Sequence, residues 1–478
     1  MLFNSLAFAV FFPIVFIVYW VLPHKYRWIF LLAASYFFYM SWNVKYVLLI
    51  FFMTIMSYAT ALIIEKTHDK KRKRIALTLG ILICLSLLIF FKYFNFLSNT
   101  VVDILSLFTI KLNPITVSVL LPVGISFYTF QALSYMIDVY RETAEAEHDF
   151  GIYAAFISFF PQLIAGPIER TNNLLPQIRS EKQFDYDDAM YGIRLMLWGY
   201  FKKMAIADVL AVYVDTVYES PTSYHGFDLL IVVFFFTIQI YCDFSGYSDI
   251  AIGTAKMLGI NLMTNFKSPY FSSSLREYWS RWHISLSTWF RDYVYIPMGG
   301  NRCSKARRYF NLFVTFLVSG MWHGASWTFA IWGGIHGIAQ IIEDSCSEKL
   351  NKIRNSRIGK VILTLIVFAF CNIAWIFFRA ESVSDALYVI THMFDNILSP
   401  SVYLQNSIGL SEKELILILC LIGIAALYDY YSLKEDVMST VNRWQKMIRI
   451  LVGYILIIFM IWGLFDSAGT NQFVYFQF

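Results

Sequence analysis

Long apolar runs separated by short charged segments dominate the pattern of this chain. A helix needs about 20 apolar residues to cross a bilayer, and several of the runs are shorter or are interrupted by proline and glycine. Irregular backbone is tolerated at membrane depth where protein or a water-filled cavity surrounds it. The pattern therefore predicts an all-α polytopic membrane protein with about 10–12 membrane helices, including re-entrant segments. The predicted spans are residues 5–22, 28–41, 44–64, 75–96, 117–137, 151–166, 190–214, 227–243, 309–332, 358–378, 412–429 and 446–465.

Composition supports the same class of protein. Of the 478 residues, 58% are hydrophobic and 15% are charged, whereas roughly a quarter of the residues in a soluble domain are charged. No segment has the composition of a separate soluble domain, so residues 1–478 are predicted to form one membrane domain. The first apolar run has no basic residue ahead of it and no small-residue cleavage pattern after it, and we expect a retained helix rather than a signal peptide.

The basic residues concentrate beside the predicted spans. Lys25 and Arg27 follow the first span, and a basic run at residues 66–74 follows the third. The positive-inside rule places such loops in the cytoplasm, which predicts an N-terminus on the outer side. Because short loops beside spans carry this bias routinely, the net charge of +5 does not indicate a nucleic-acid partner.

Nothing in the sequence indicates a metal ion or an organic cofactor. The six cysteines form no C-x-x-C pair and lie mostly in apolar runs or basic loops, which argues against a zinc site and against a disulfide framework. No phosphate-binding P-loop and no G-x-G-x-x-G fingerprint is present.

His323 is the residue that points most directly to chemistry. It lies near the middle of an apolar run that begins around Tyr309. An ionisable side chain loses solvation at membrane depth and is uncommon there without a partner or a task, and imidazole is well placed to exchange a proton near neutral pH. One hypothesis is a buried general base. The other is a structural histidine that hydrogen-bonds across two helices, which Gly320 and Gly324 allow to approach closely.

Polar groups interrupt apolar surroundings at three further places. Residues 121–131 contain a proline and a glycine, and either their polar side chains line a cavity or the segment is a kinked helix. Two prolines and a glycine at 160–170 predict a re-entrant turn or a span boundary. Asp243 ends the apolar run at residues 227–243, where a carboxylate usually pairs with a basic group or a histidine. Asp243, Ser245, Ser287 and His283 are candidates for orienting an imidazole or polarising a carbonyl.

The segment at residues 275–293 combines arginines with aromatic residues. His283, Ser287 and Arg291 are four residues apart, so on one helix they would share a face. A plain helix at the membrane surface is one interpretation. The other is a cationic rim of Arg276, Arg281 and Arg291, with Trp279 beside them, that attracts a phosphorylated donor.

A second histidine, His336, follows His323 by 13 residues. On one straight helix the two would lie roughly 20 Å apart and could not share a substrate atom. Either the glycines fold the chain back or the two histidines have different roles. Because His336 lies between Gly333 and Gly337, a structural or supporting role is favoured for it.

Several of these motifs occur in a defined order. They are residues 121–131, 135–141, 160–168, 241–249, 278–300 with the core Arg-Trp-His-Ile-Ser-Leu-Ser at 281–287, 321–324 with the sequence Met-Trp-His-Gly, 377–380 and 473–478. In this order they resemble the membrane-bound O-acyltransferase family, in the bacterial branch that includes the alginate O-acetylation proteins.

The resemblance implies an all-helical fold in the bacterial plasma membrane around a tunnel, with His323 midway as the catalytic residue. His283, Asp243, Ser287 and His336 are then possible supporting residues. It also implies that an acyl group moves from a cytoplasmic thioester, acetyl-CoA in this branch, to an acceptor outside. A separate extracytoplasmic acetyltransferase of the esterase-like type would complete O-acetylation of a polysaccharide, and membrane lipid would surround the protein.

Three alternatives remain open at this point. Within the same family, the acyl group would be D-alanine, moved from a carrier-protein thioester to teichoic acid. In a different class of protein, a proton- or anion-coupled transporter would use His323 as a proton relay. The third is a structural scaffold within a polysaccharide synthase.

Overall fold

The structure is a computed structural model that describes residues 1–119, 121–397, 408–441, 443–466 and 473. Within these residues every regular element is helical. The α-helices are α1 (Leu6–Val21), α2 (His24–Met40), α3 (Val47–Lys66), α4 (Lys70–Leu88), α5 (Phe94–Ser106), α6 (Ile125–Tyr140), α7 (Phe150–Ser158), α8 (Phe160–Leu163), α9 (Thr171–Arg179), α10 (Tyr186–Tyr200), α11 (Asp208–Tyr218), α12 (Phe227–Met257), α13 (Leu275–Trp279), α14 (Ile284–Phe290), α15 (Lys305–His323), α16 (Trp327–Ser345), α17 (Ser347–Arg354), α18 (Arg357–Arg379), α19 (Val383–His392), α20 (Glu412–Ser432), α21 (Val437–Val441) and α22 (Lys446–Asp466).

Several helices are joined or extended by non-α turns. π-Helical turns at Ile89–Tyr93 and Phe201–Ala207 link α4 to α5 and α10 to α11, and a third at Arg291–Tyr295 follows α14. Such turns absorb an extra residue and are frequent at functional sites. Short 3₁₀ turns lie at Val44–Tyr46, Pro221–Ser223 and Pro269–Phe271.

Among the described residues, 6 helices are long and apolar enough to cross a membrane. They are Val44–Lys66, Lys70–Ser106, Phe227–Met257, Arg357–Arg379, Glu412–Ser432 and Lys446–Phe465. This confirms the all-α membrane class. The other predicted spans correspond to shorter or interrupted helices, and the span predicted at 117–137 becomes helical only at Ile125.

Two predicted spans are interrupted for identifiable reasons. The run at 151–166 is divided between α7 and α8 at Phe159, because Pro161 lacks the backbone N–H that a continuing helix needs. The prediction of one helix over 309–332 is wrong. Helix α15 ends at His323, and Gly324 has an extended backbone. Ser326 then caps α16 by accepting from Thr328 N at 3.3 Å.

The described chain forms two compact units. The first comprises residues 1–193 and 251–263. In it α3 packs against α4 and α6, and α2 packs against α7. Gly124 has φ of 75°, and a Cβ there would meet the carbonyl oxygen of Leu163 at 2.5 Å, so only glycine suits this turn.

The second unit comprises residues 194–250 and 264–478, of which the described part contains all the predicted site residues. Helix α15 packs against α16 as a hairpin, α16 packs against α18, and α22 packs against the π-turn at Phe201–Ala207. The fully buried side chains here include Trp282, Trp332 and Trp375. The single-domain organisation stays a prediction.

Candidate active site

His323 ends α15, and its position depends on how closely α15 and α16 approach each other. A Cβ on Gly320 would lie 2.3 Å from the Phe329 carbonyl oxygen, and a Cβ on Gly333 would lie 2.4 Å from that of Phe316. Glycine at both positions therefore permits backbone-to-backbone contact. The hairpin holds His323 beside the first turns of α16, with 7% of the residue exposed.

Aromatic rings pack around the imidazole of His323. Trp332 and Phe378 each lie 5.3 Å from it between ring centroids, with the Trp332 plane at 89° to it. The ring of His283 lies 6.4 Å from it. The structure therefore brings together two of the histidines that the sequence singled out.

His283 lies between α13 and α14, outside the long apolar helices, and is 2% exposed. Its φ of 42° is left-handed, which is uncommon for a residue other than glycine and costs free energy that the surroundings must offset. Asn265 holds the backbone that follows: its carbonyl accepts from Ile284 N at 2.9 Å, and its side-chain oxygen accepts from Ser285 Oγ at 2.6 Å. Phe244 packs edge-on against the imidazole at 4.6 Å.

The environment of His283 favours its neutral form. Burial, together with the nearby His323, lowers the pKa of the His283 imidazole well below its ordinary value. A neutral imidazole carries one N–H donor and one acceptor nitrogen, which suits hydrogen bonding to an uncharged substrate.

The prediction of one helix through residues 275–293 is wrong. The segment forms α13, a turn that contains His283, α14 and a π-turn that begins at Arg291. Of the three residues predicted to share a face, Ser287 lies within α14, whereas His283 is its N-cap residue and Arg291 its C-cap residue. Ser287 donates two hydrogen bonds to the residues just before it: its N donates to the His283 carbonyl at 2.9 Å, and its Oγ donates to the Trp282 carbonyl at 3.1 Å.

Asp243 has the basic partner that the sequence predicted, and that partner is Lys203. The Lys203 Nζ lies 2.6 Å from Asp243 Oδ1 and 2.7 Å from Asp208 Oδ1, and all three residues are buried. The preceding residue, Lys202, lies 2.8 Å from Asp249 and donates to Ser245 Oγ at 2.8 Å. The sequence reasoning overlooked both lysines.

His336 and His323 both contact the ring of Trp332. The His336 ring is 4.9 Å from that of Trp332. The indole nitrogen of Trp279 donates to His336 Nδ1 at 3.3 Å. The chain therefore folds back between the two histidines, and Trp332 lies between them.

The predicted donor-binding arginines are spread over several short elements. Arg276 is exposed on α13, Arg281 pairs with Glu277 at 2.7 Å, and Arg291 pairs with Asp292 at 2.8 Å. Trp279, also predicted to contact the donor, is half-buried and bonded to His336. The donor-binding role of these residues stays a prediction.

The arrangement suits proton transfer in a water-poor site. A buried imidazole with an accepting nitrogen can remove a proton from a hydroxyl. Electrostatic contacts at such a site are stronger than in water. Histidine in this setting is the usual base for attack of a hydroxyl on an acyl group.

A sequence model of the membrane-bound O-acyltransferase family matches residues 143–381. The matched region contains Asp243, His283, His323 and His336. It therefore includes every residue proposed above for the chemistry.

Full-length relatives extend the similarity over most of the chain. A protein of Pseudomonas aeruginosa named probable alginate O-acetylase is 38% identical over 90% of this chain and 82% of its own length. The peptidoglycan O-acetyltransferase of Helicobacter pylori is 36% identical over 82% of this chain and 80% of its own length. The teichoic acid D-alanyltransferase of Streptococcus thermophilus is 29% identical over 53% of this chain and 65% of its own length.

Proposed function

The chain belongs to the membrane-bound O-acyltransferase family and is an acyltransferase, and from that premise we propose that it serves the O-acetylation of an extracytoplasmic polysaccharide. The observation that carries the proposal is the buried pair of His323 and His283 inside the region that the family shares. Relatives named for alginate and for peptidoglycan support a glycan as the final acceptor without selecting one. The teichoic acid D-alanyltransferases, which match about half of this chain, support the D-alanyl alternative less well.

We propose acetyl-CoA as the acyl donor and His323 as the general base. The imidazole takes the proton of an acceptor hydroxyl while the hydroxyl oxygen bonds to the thioester carbonyl carbon. The carbonyl electron pair moves to oxygen, and its return expels the thiolate. The thiolate takes the proton from His323, so the products are an acetyl ester and free CoA thiol, and no other reactant is consumed.

The transfer has to connect a cytoplasmic donor with an outer acceptor. We propose that the protein lies in a bacterial plasma membrane with its N-terminus outside, and that a tunnel through the membrane passes His323. The basic residues at 66–74 support this orientation, because basic loops beside spans favour the cytoplasm.

The immediate acceptor in this proposal is a second, extracytoplasmic acetyltransferase. We propose that residues 215–227 and 395–411 face outward; both segments are short, and 398–407 lie outside the described residues. A glycan chain is normally held in an extended cleft, which segments of this length do not supply. A separate protein that carries the acetyl group onward resolves this difficulty.

Reconstitution distinguishes these possibilities. The purified protein in liposomes, given radiolabelled acetyl-CoA and the host's own glycan, should release CoA thiol and acetylate the glycan only when an extract of the host's extracytoplasmic proteins is added. Efficient acetylation of the glycan by the protein alone would overturn the relay. Solute movement without any thiol release would overturn the acyltransferase proposal in favour of transport.

A further inference from the structure

Two buried tryptophans near the site have indole N–H groups that donate to no partner among the described residues. They are Trp332 and Trp375, each 1% exposed. Buried donors are almost always satisfied, because an unsatisfied one is destabilising. A buried donor held in this state next to a catalytic residue suggests that a substrate atom becomes its acceptor.

Only one of these two indoles lies in contact with His323. Trp332 is 5.3 Å from the His323 ring at 89°, so that the edge of one ring meets the face of the other. Trp375 stacks on Trp332 at 5.5 Å and 24°, and its other ring contacts include Trp282 and Phe378, each at 5.0 Å. Trp332 is therefore a donor whose ring contacts His323, and Trp375 is a chemically identical donor whose ring contacts Trp332.

Three other polar groups considered for polarising a carbonyl, those of Asp243, Ser245 and Ser287, are already engaged. Asp243 holds Lys203, and Ser245 accepts from Lys202. The hydroxyl of Ser287 donates to the Trp282 carbonyl. Among the rings around His323, Phe378 has no donor at all. The indole N–H of Trp332 is therefore a buried donor, in a ring that contacts His323, with no partner among the described residues.

We propose that the Trp332 Nε1–H donates to the thioester carbonyl oxygen and stabilises the negative charge that this oxygen carries in the transition state. The inference rests on the proposed function and deepens it, because it assigns the electrophilic partner of the base His323. When the acceptor hydroxyl attacks, the carbonyl π electrons move to the oxygen bonded to Trp332. They return when the C–S bond breaks and the thiolate leaves, so the indole keeps its proton throughout.

The packing around Trp332 makes this donor rigid, as such a role requires. The Gly320–Gly333 contact fixes α16 against α15 immediately beside Trp332. Trp375 on one side and His336 on the other, at 4.9 Å, restrict rotation of the indole. A donor that does not reorganise during the reaction contributes more than one that must be oriented by the substrate.

Replacement of the N–H alone tests the proposal. Trp332→benzothienylalanine, introduced by codon suppression, exchanges the indole N–H for sulfur and keeps the ring nearly unchanged. The same replacement at Trp375 is the matched control, because that indole is equally buried and equally without a partner among the described residues. Thermal midpoints of both variants in detergent establish that the fold is retained.

The expected result is a loss of kcat for acetyl transfer of about 10²–10³-fold at position 332, the range for removal of one oxyanion donor. The KM for acetyl-CoA should change much less, because the bond strengthens mainly in the transition state. The Trp375 variant should stay within about threefold of wild type. A kcat at position 332 equal to that of the Trp375 control would overturn the proposal.

His323→Ala, measured in parallel, separates this proposal from the proposed function. If His323→Ala is inactive while the Trp332 variant is fully active, the Trp332 assignment fails and the function stands. If His323→Ala remains fully active, the proposed chemistry itself fails, and the Trp332 assignment fails with it.

Discussion

Gly320→Ala should displace the hairpin formed by α15 and α16, and the structure sets the size of the effect. The new Cβ would lie 2.3 Å from the Phe329 carbonyl oxygen and 2.9 Å from the Gly333 Cα, where ordinary contact begins at 3.4 Å. Because both obstacles are backbone atoms, α15 and α16 must separate by about 1 Å. Overpacking of this kind costs roughly 1–3 kcal/mol, against a gain of up to ~1 kcal/mol from replacing a helical glycine by alanine.

Gly334→Ala is the matched control on the same hairpin. Its Cβ would meet only the Phe313 Cε2, at 3.9 Å, so the substitution needs no movement of the helices. Gly334→Ala should keep or slightly raise the thermal midpoint, whereas Gly320→Ala should lower it. Acetyl transfer by Gly320→Ala should fall by about 10²-fold, since a displacement near 1 Å has that effect on a positioned catalytic group. Equal midpoints and equal kcat for the two variants would refute this account of the hairpin.

Three further predictions concern charged residues. Lys203→Met should lower the free energy of unfolding by roughly 3–5 kcal/mol because it leaves two buried carboxylates without their ammonium partner; an unchanged denaturation midpoint would contradict this. Burial raises the pKa of Glu169 from 4.5 to about 7, so the folded protein binds more protons than the unfolded chain within that interval and stability should fall as pH rises through it. The fall in stability should be smaller in Glu169→Gln. Parallel curves of thermal midpoint against pH for the wild type and Glu169→Gln would contradict this role of Glu169. Charge reversal at Arg276 and Arg291 should raise the KM for acetyl-CoA more than it lowers kcat, and an unchanged KM would leave these two arginines without a role in donor binding.

The class of protein and the central histidine follow from the sequence because each depends on one local signal. Hydropathy alone predicts the long apolar helices, and an imidazole inside such a run predicts chemistry. The break after His323 was missed because hydropathy does not register a turn between two equally apolar helices. Gly324 followed by Ser326, a residue type that caps helices, was the available signal.

The surroundings of His323 were harder to predict because they are tertiary. Trp332 and Phe378 come from different helices, and no spacing in the sequence brings them to one imidazole. The left-handed backbone at His283 has no signal of its own, since such a conformation ordinarily selects glycine or asparagine. Lys202 and Lys203 were predictable, because two adjacent lysines inside the apolar run at 190–214 need buried partners.

The central claim is that His323, rather than the nearby His336, is the base for acyl transfer. Its most direct test is the rate of acetyl transfer from acetyl-CoA by purified His323→Ala and His336→Ala, with thermal midpoints to verify folding. His323→Ala should lose about 10²–10⁴-fold in kcat, the contribution of a positioned general base, while His336→Ala keeps measurable activity. A folded His323→Ala that transfers acetyl at the wild-type rate, or a reversal of the two variants, would contradict the account.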